Sequence, residues 1–161
     1  MLYMHNAFSQ RWYMTSLVHP SSSISSSVQL GENVKIGPYC NIDGNITIGD
    51  GTELKSHISI TGNTSIGKNN IFYPFSNIGC DPQDLKFYGE ESFLEIGNSN
   101  TFRENVTISK GTKDGGMITS INDNNLFMTG VHIAHDCKIN NNNIFVNQVT
   151  LGGHVNIHNN I

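Results

Sequence analysis

The sequence has few charged residues and no long apolar run. Only 14% of its 161 residues are charged and the formal net charge is −4, so the clustered basic surface that nucleic-acid binding requires is not expected. No apolar stretch approaches the roughly 20 residues that a membrane-spanning helix needs. We therefore expect neither a nucleic-acid partner nor a membrane span.

Cysteine is also scarce. The three cysteines, an odd number, fit free thiols in a reducing compartment better than a disulfide framework, which favours a cytoplasmic protein.

Glycine, in contrast, occurs 16 times, and asparagine is abundant. Both residues are typical of tight turns, and many turns combined with low charge indicate an ordered chain rather than a disordered one.

One apolar residue recurs every six positions along most of the chain. The residue after it is often glycine, and the position four after it is usually small or β-branched. The recurring residues, called anchors below, are Val18, Ile24, Leu30, Ile36, Ile42, Ile48, Leu54, Ile60, Ile66, Phe72 and Ile78, then Ile96, Phe102 and Ile108, and, after a shift of one residue, Ile121, Phe127, Ile133, Ile139, Phe145, Leu151 and Ile157.

A hexad with one anchor predicts a short strand followed by a corner, where Gly or Asn adopts the left-handed backbone conformation with little steric penalty. Three such sides close a triangular coil, and stacked coils place the anchors in a narrow interior. We therefore predict an all-β fold, a parallel β-helix of hexapeptide repeats with about seven triangular coils. The motif resembles the left-handed form of this helix. The helix is expected to span residues 18–161, and residues 1–17 are expected to be a poorly ordered N-terminal extension.

Two segments interrupt the repeat at one corner of the predicted prism. When the three faces are counted from the first anchor, "CDPQDLKFYGEESF" and "SKGTKDGGMITS" both leave from the corner between the second and third faces, one coil apart. His135 and His154 follow second-face anchors by two and three residues, close to the same corner. Both loop excursions and both histidines should therefore gather on one edge, which predicts a functional site there.

Several of the motifs resemble a known family. The stretches "LKSHISITGNTSIG", "QDLKFYGE", "RENVTISKGT", "LFMTGVHIAHDC" and "LGGHV" resemble the acyl-[acyl-carrier-protein]–UDP-N-acetylglucosamine O-acyltransferases, which begin lipid A synthesis. The "QDLK" loop together with "HIAHDC" is the most specific part. The resemblance implies transfer of a (3-hydroxy)acyl group from acyl carrier protein to the 3-hydroxyl of UDP-N-acetylglucosamine, by a homotrimer with sites between subunits and without a cofactor.

The same resemblance implies catalytic roles for three residues. His135 matches the general base that takes the proton of the attacking hydroxyl, a task that suits a neutral imidazole near pH 7. Asp136 matches the carboxylate that orients this histidine, although adjacent residues of an extended strand point in opposite directions, so a corner must bend the chain there. Gly153 matches the residue whose backbone N–H donates to the developing oxyanion.

The resemblance also implies substrate contacts on the loops and next to the base. The matching residues are Gln83, Asp84, Lys86, Ser109, His132 and His154. One pair departs from the family, since this chain has Ser109 and Lys110 where other members have histidine followed by arginine. Altered substrate contacts are expected at that place.

Three alternatives remain open. One is another hexapeptide acyltransferase, such as the UDP-3-O-acylglucosamine N-acyltransferase of the same pathway. A second is a zinc site that uses the histidines, as in γ-type carbonic anhydrases, although the "QDLK" loop argues against it and no metal is expected. The third is a non-catalytic β-helix, because the sequence ends within a repeat, "VNIHNNI", which suggests a chain truncated at its C-terminus.

Overall fold

The computed structural model describes residues 16–161, and the fold is built almost entirely of short β-strands. The predicted extension at residues 1–17 lies outside this range except for its last two residues, and Leu17 already belongs to the first strand. A single 3-10 turn, Lys113–Gly115, is the one helical element from residue 16 onward. No helix in this range is long and apolar enough to cross a bilayer.

The strands follow one another at the six-residue spacing of the anchors. In chain order they are β1 (Leu17–Val18), β2 (Ser23–Ile24), β3 (Gln29–Leu30), β4 (Lys35–Ile36), β5 (Asn41–Ile48), β6 (Glu53–Leu54), β7 (Ser59–Ile66), β8 (Ile71–Phe72), β9 (Asn77–Cys80), β10 (Phe93–Ile96), β11 (Thr101–Phe102), β12 (Thr107–Ser109), β13 (Ile118–Ile121), β14 (Leu126–Phe127), β15 (His132–Ile133), β16 (Lys138–Ile139), β17 (Ile144–Phe145), β18 (Thr150–Leu151) and β19 (Asn156–Ile157).

Each strand pairs in parallel with the equivalent strand of the next coil. The first face is a seven-stranded sheet in the order β1-β4-β6-β8-β11-β14-β17, one strand per coil, which confirms about seven coils. The second and third faces merge into one twelve-stranded sheet because β5 and β7 run through the corner between them. Anchors pair with anchors, as in Ile42↔Ile60, so the six-residue period is the register of the helix.

The core is a narrow stack of anchors from successive coils. Four phenylalanines of the first face, Phe72, Phe102, Phe127 and Phe145, stack face to face with ring centroids 4.5, 4.8 and 4.8 Å apart. The small residues four positions after the anchors point inward at the corners, and the cysteines Cys40 and Cys137 at these positions are buried.

A ladder of buried asparagines closes the corner between the third and first faces. The Asn70 side-chain oxygen accepts from the backbone N–H of Asn100 at 2.9 Å, and Asn125 and Asn143 repeat this bond in the next coils at 2.8 and 2.9 Å. Each amide oxygen therefore satisfies a backbone N–H that the turn would otherwise leave buried without an acceptor.

Both loop excursions leave from the corner between the second and third faces. The first loop, residues 81–92, joins β9 to β10, and the second loop, residues 110–117, joins β12 to β13. Because β9 pairs with β12 and β10 pairs with β13, the two loops lie directly above one another. This arrangement confirms the prediction made from the phase of the anchors.

Candidate active site

His135 and Asp136 form a hydrogen-bonded pair at the corner that carries the two loops. His135 follows β15 by two residues, and its Nδ1 lies 2.8 Å from Asp136 Oδ2. Asp136 has a positive φ of 59°, the left-handed conformation of a corner residue. This turn bends the chain between the two residues, so that adjacent side chains which would diverge in an extended strand meet instead.

The Asp136 carboxylate is held from the second loop. Its Oδ1 accepts the backbone N–H of Thr112 at 2.9 Å, and its Oδ2 accepts the Thr112 hydroxyl at 2.6 Å. The Asp136 side chain has no solvent exposure. Burial alone would raise the pKa of Asp136, but the hydrogen bonds from Thr112 and His135 outweigh it and bring the pKa below its ordinary value. The site therefore contains a buried carboxylate that is ionised near neutral pH.

This depressed pKa makes stability depend on pH in a defined direction. The carboxylate of Asp136 binds a proton more readily in the unfolded chain, so its contribution is complete above the unfolded pKa of about 3.9 and is lost as the pH falls through the folded pKa. Asp136→Asn should therefore have a lower Tm than the parent near neutral pH, and the gap should shrink below about pH 4. Thermal unfolding of both proteins across this pH range measures the difference in Tm. A difference that does not change with pH would contradict the lowered pKa of Asp136.

The other ring nitrogen of His135 faces the first loop. His135 Nε2 lies 3.9 Å from Asp84 Oδ2, and the exposed fractions of the two side chains are 14% and 24%. Asp84 is fixed by a local turn, since its Oδ1 accepts the Lys86 N–H at 3.0 Å and its carbonyl accepts the Phe87 N–H at 3.0 Å. Nε2 and the carboxylate are close enough together for one hydroxyl, bound beside them, to contact both groups.

Residues of the next coil complete the surroundings of His135. The His154 ring meets it edge to face, with centroids 5.1 Å apart and planes at 89°. A Cβ atom on Gly153 would lie 2.5 Å from Cε1 and 2.7 Å from Nε2 of His135, so only glycine allows the backbone to approach the imidazole this closely. The structure thus brings His135, Asp136, Gly153, His154 and Asp84 together, as the sequence predicted.

His132 lies on β15, three residues before His135. Its Nδ1 is 2.7 Å from the hydroxyl of Thr107 on β12. Burial lowers the pKa of His132, because a half-buried imidazole loses hydration of its charged form. His132 is therefore a neutral side chain near pH 7, able to donate or accept one further hydrogen bond at Nε2.

The remaining predicted contacts differ in their accessibility. Gln83 and Lys86 are exposed on the first loop. Ser109 is buried, with 1% exposure, and its hydroxyl lies 3.7 Å from Cys80 Sγ. A bulge explains this placement, since Ser109 pairs with Cys80 after a register shift and Gly79 carries the positive φ of 75°.

A cleft of about 550 Å³ lies between the two loops next to this cluster. Both acidic and basic side chains line it. The lining residues are Asp84, Lys86, Tyr88, Gly89, Glu90, Thr112, Lys113 and Asp114. Glu90 joins the loops, because its Oε2 accepts the Tyr88 N–H at 2.9 Å and its Oε1 accepts the Lys113 N–H at 3.2 Å. The cleft is open at the surface and shares Asp84 with the His135 cluster.

Sequence reasoning missed two contacts that shape the site. Thr112, on the second loop, binds the Asp136 carboxylate, and the loop has no repeat from which this contact could be read. Lys110 ties the second loop to the first, because its Nζ lies 2.9 Å from Asp81 and 5.3 Å from the centre of the Phe87 ring. Its side chain is 14% exposed, so this lysine is largely covered by the first loop. The sequence had marked Lys110 as a departure from the related family, which did not predict its ion pair with Asp81.

The zinc alternative has a partial geometric basis. His135, Asp136 and His154 each offer a ligand atom, and these atoms lie within 4.8 Å of one another. The Asp136 oxygens, however, already accept bonds from Thr112 and from His135. A metal ion bound by this carboxylate would have to displace its bond to His135, so the donor set fits a hydrogen-bonded pair better than a zinc site.

Comparison with known proteins gives consistent matches over most of the chain. The family described as bacterial transferase hexapeptide (six repeats) matches residues 27–57. The acyl-[acyl-carrier-protein]–UDP-N-acetylglucosamine O-acyltransferase of Rickettsia canadensis (strain McKiel) is 53% identical over 123 residues, which cover 76% of this chain and 47% of the relative. That of Psychrobacter sp. (strain PRwf-1) is 47% identical over 122 residues and covers the same shares, 76% and 47%. The chain therefore spans about half the length of the curated relatives it matches.

Solved structures agree. The UDP-N-acetylglucosamine acyltransferase of Francisella novicida superposes with a TM-score of 0.85 at 42% identity, covering 86% of this chain and 51% of that one. The UDP-N-acetylglucosamine O-acyltransferase of Moraxella catarrhalis RH4 gives a TM-score of 0.86 at 45% identity, covering 87% and 55%. These matches confirm the left-handed parallel β-helix of hexapeptide repeats.

Proposed function

Because the chain is related in sequence and structure to the acyl-[acyl-carrier-protein]–UDP-N-acetylglucosamine O-acyltransferases, we propose that it transfers a (3-hydroxy)acyl group from acyl carrier protein to the 3-hydroxyl of UDP-N-acetylglucosamine, the first step of lipid A synthesis. One observation carries the proposal for this chain. His135 binds a buried carboxylate through Nδ1 while Nε2 faces the open corner and Asp84.

The pair suits a general base. With its proton on Nδ1, donated to Asp136, His135 presents the lone pair of Nε2 to the corner. The sugar hydroxyl gives its proton to Nε2 as its oxygen attacks the thioester carbonyl carbon. The C–S bond then breaks, and the imidazolium returns the proton to the leaving thiolate. The Asp136 carboxylate stabilises the imidazolium that exists between these steps.

Other residues take the roles of binding and charge stabilisation. The Gly153 N–H donates to the oxyanion, in keeping with the close approach of this backbone to the His135 ring. The Asp84 carboxylate accepts from the sugar beside the reacting hydroxyl. Substrate contacts come from Gln83, Lys86, His132 and His154. Ser109, which the sequence also placed among these contacts, is buried beside Cys80 after the bulge and does not face the substrate.

The working assembly is a homotrimer in the cytoplasm. On the first loop, Leu85 is 97% exposed and Tyr88 is 90% exposed in the single chain, next to the cleft. Large apolar side chains at such exposure are typical of surfaces covered by another subunit. Cys40, Cys80 and Cys137 are all free thiols, which suits a reducing compartment.

Product analysis tests the proposed function. We expect the chain, mixed with 3-hydroxyacyl-[acyl-carrier-protein] and UDP-N-acetylglucosamine, to form the 3-O-acylated nucleotide sugar, detected by mass spectrometry, at a rate that a chelator leaves unchanged. A 3-deoxy acceptor should give no product, and His158→Ala, which removes an exposed histidine outside the site, should match the parent. Acylation of a UDP-3-O-acylglucosamine instead would indicate the N-acyltransferase, and loss of activity with the chelator would indicate a metal site.

A further inference from the structure

The second loop packs on the Asp136 side chain, although the two are far apart in sequence. Asp136 has no exposed side-chain surface, and two of the three hydrogen bonds to its carboxylate come from one residue, Thr112, 24 positions earlier. Thr112 contacts both oxygens, Oδ1 through its N–H and Oδ2 through its hydroxyl. A carboxylate bound at both oxygens by one residue cannot rotate about its Cβ–Cγ bond without losing both contacts.

The 3-10 turn of the same loop covers the carboxylate. A Cβ atom on Gly115 would overlap Asp136 Cγ and both of its oxygens, so the turn packs on the carboxylate without a gap. The turn is folded back by two bonds to the Thr112 carbonyl, from the N–H of Gly115 at 3.1 Å and of Met117 at 2.8 Å. The backbone N–H of Asp136 also donates to the hydroxyl of Thr119, on β13, at 2.8 Å.

We propose that Thr112 is a positioning residue that fixes the Asp136 carboxylate and, through it, the tautomer and orientation of the His135 ring. The proposal rests on the proposed function of His135 as the general base. Oδ2 accepts both the Thr112 hydroxyl and His135 Nδ1, so the hydroxyl sets the position of the oxygen that holds the Nδ1 proton. Without the hydroxyl, Oδ2 keeps only the bond from His135 while Oδ1 still accepts the backbone N–H of residue 112, so Oδ2 is less firmly placed and the proton is less confined to Nδ1.

The two loops then have separate tasks. The first loop supplies Asp84 to the open side of His135, while the second loop fixes the closed side through Thr112. Lys113, the residue after Thr112, donates its N–H to Glu90 of the first loop, which anchors the start of the 3-10 turn. The stacking of both loops on one corner thus holds the histidine between a partly exposed carboxylate, that of Asp84, and a buried one, that of Asp136.

Thr112→Val and Thr112→Ser provide the test, because valine has the shape of threonine without the hydroxyl and serine retains it. We expect Thr112→Val to lower kcat by about 10- to 100-fold, as for the hydrogen-bond partners that orient metal-binding histidines, with KM changed less than about twofold. Thr112→Ser should retain most of the parent kcat. The matched control is Thr129→Val, which removes a hydroxyl that donates to Glu104 at 3.2 Å, at another corner.

Nitrogen-15 NMR of the histidine side chains gives a readout that needs no turnover. In the parent, Thr112→Ser and Thr129→Val, the His135 ring should be the Nδ1–H tautomer with a slowly exchanging Nδ1 proton. Thr112→Val should show mixed tautomers and lose the proton signal. If the parent transfers no acyl group and the NMR change still occurs, the proposed function fails while the positioning role is supported.

Unchanged tautomer and kcat in Thr112→Val would overturn the proposal. If Thr112→Val does not fold, Gly115→Ala takes its place, because the added methyl group displaces the turn from Asp136 while Thr112 remains. Folded Gly115→Ala should also lose the slowly exchanging Nδ1 proton, and retention of both this signal and the parent kcat would likewise overturn it.

Discussion

Replacing His135 with alanine is expected to lower the rate of acyl transfer by about 10²- to 10⁴-fold, the usual contribution of a general base, while the β-helix remains folded. The reason lies in the asymmetry of its surroundings. Nδ1 is bound to the buried Asp136 carboxylate, and Nε2 faces the opening beside Asp84. Among residues 16–161, no other histidine has a carboxylate hydrogen-bonded at one nitrogen, so no neighbour can take over the role.

His154 is the matched comparison within the site. It stacks edge to face on His135 but is exposed, and no carboxylate holds its ring in the described part of the chain. His154→Ala should therefore raise KM more than it lowers kcat, because it removes a binding contact rather than the base. His135→Ala should show the reverse, a loss in kcat.

Rates are measured with acyl carrier protein thioester and UDP-N-acetylglucosamine, at equal protein concentration and with circular dichroism to verify folding. Free imidazole added to His135→Ala should restore part of the rate, since the space left by the ring opens on the corner. Equal rates in the parent and His135→Ala would rule out the base, and a similar kcat loss in His154→Ala would reassign the proton transfer to the pair of rings.

The sequence was sufficient to predict the fold and the edge on which the two loops and the histidines lie together. A strict six-residue period leaves one register, because a shift of a single residue would turn every anchor outward. The phase of the anchors also fixed which corner each interruption leaves from, and the pairing of Ile78 with Ile108 places the two loops together as predicted. For the same reason His135 and Asp84, 51 positions apart, were expected on one edge and lie there, with Nε2 and Oδ2 3.9 Å apart.

What could not be predicted depends on local departures from the repeat. The left-handed backbone of Asp136, at φ 59°, is not such a departure, because the position three after an anchor has a positive φ at most corners. The contact of Asp136 with Thr112, in contrast, depends on the path of a loop without periodicity. The burial of Ser109 follows from one extra residue, Gly79, in the partner strand. Both the Thr112 contact and the burial of Ser109 are set by tertiary contacts rather than by spacing.

Phe102→Ala is expected to give the largest loss of stability, about 3 to 5 kcal/mol in the free energy of unfolding. The Phe102 ring is fully buried between Phe72 and Phe127, at 4.5 and 4.8 Å between centroids and nearly parallel to both. Its removal forfeits buried apolar area and two stacked contacts at once.

The cavity left by this substitution should persist. Phe102 lies in β11, whose coil is fixed to its neighbours by backbone hydrogen bonds from Tyr73 N–H to the Phe102 carbonyl and from Arg103 N–H to the Phe127 carbonyl, both 2.8 Å. Parallel coils held at this spacing cannot close toward each other to fill the space. The loss should therefore lie at the upper part of the range for large-to-small changes.

Phe75→Ala is the matched control, because it removes the same side chain from an exposed position. Phe75 is 60% exposed at a corner, where its ring meets His57 with centroids 5.1 Å apart. Its loss should cost about 1 kcal/mol or less. Urea unfolding of the parent and both variants, at one protein concentration, yields the two differences. If Phe102→Ala were no more destabilising than Phe75→Ala, the interior stack would not be what holds the coils together. The backbone ladders and the asparagine corner would then have to supply most of the stability, and the six-residue apolar period would mark register alone.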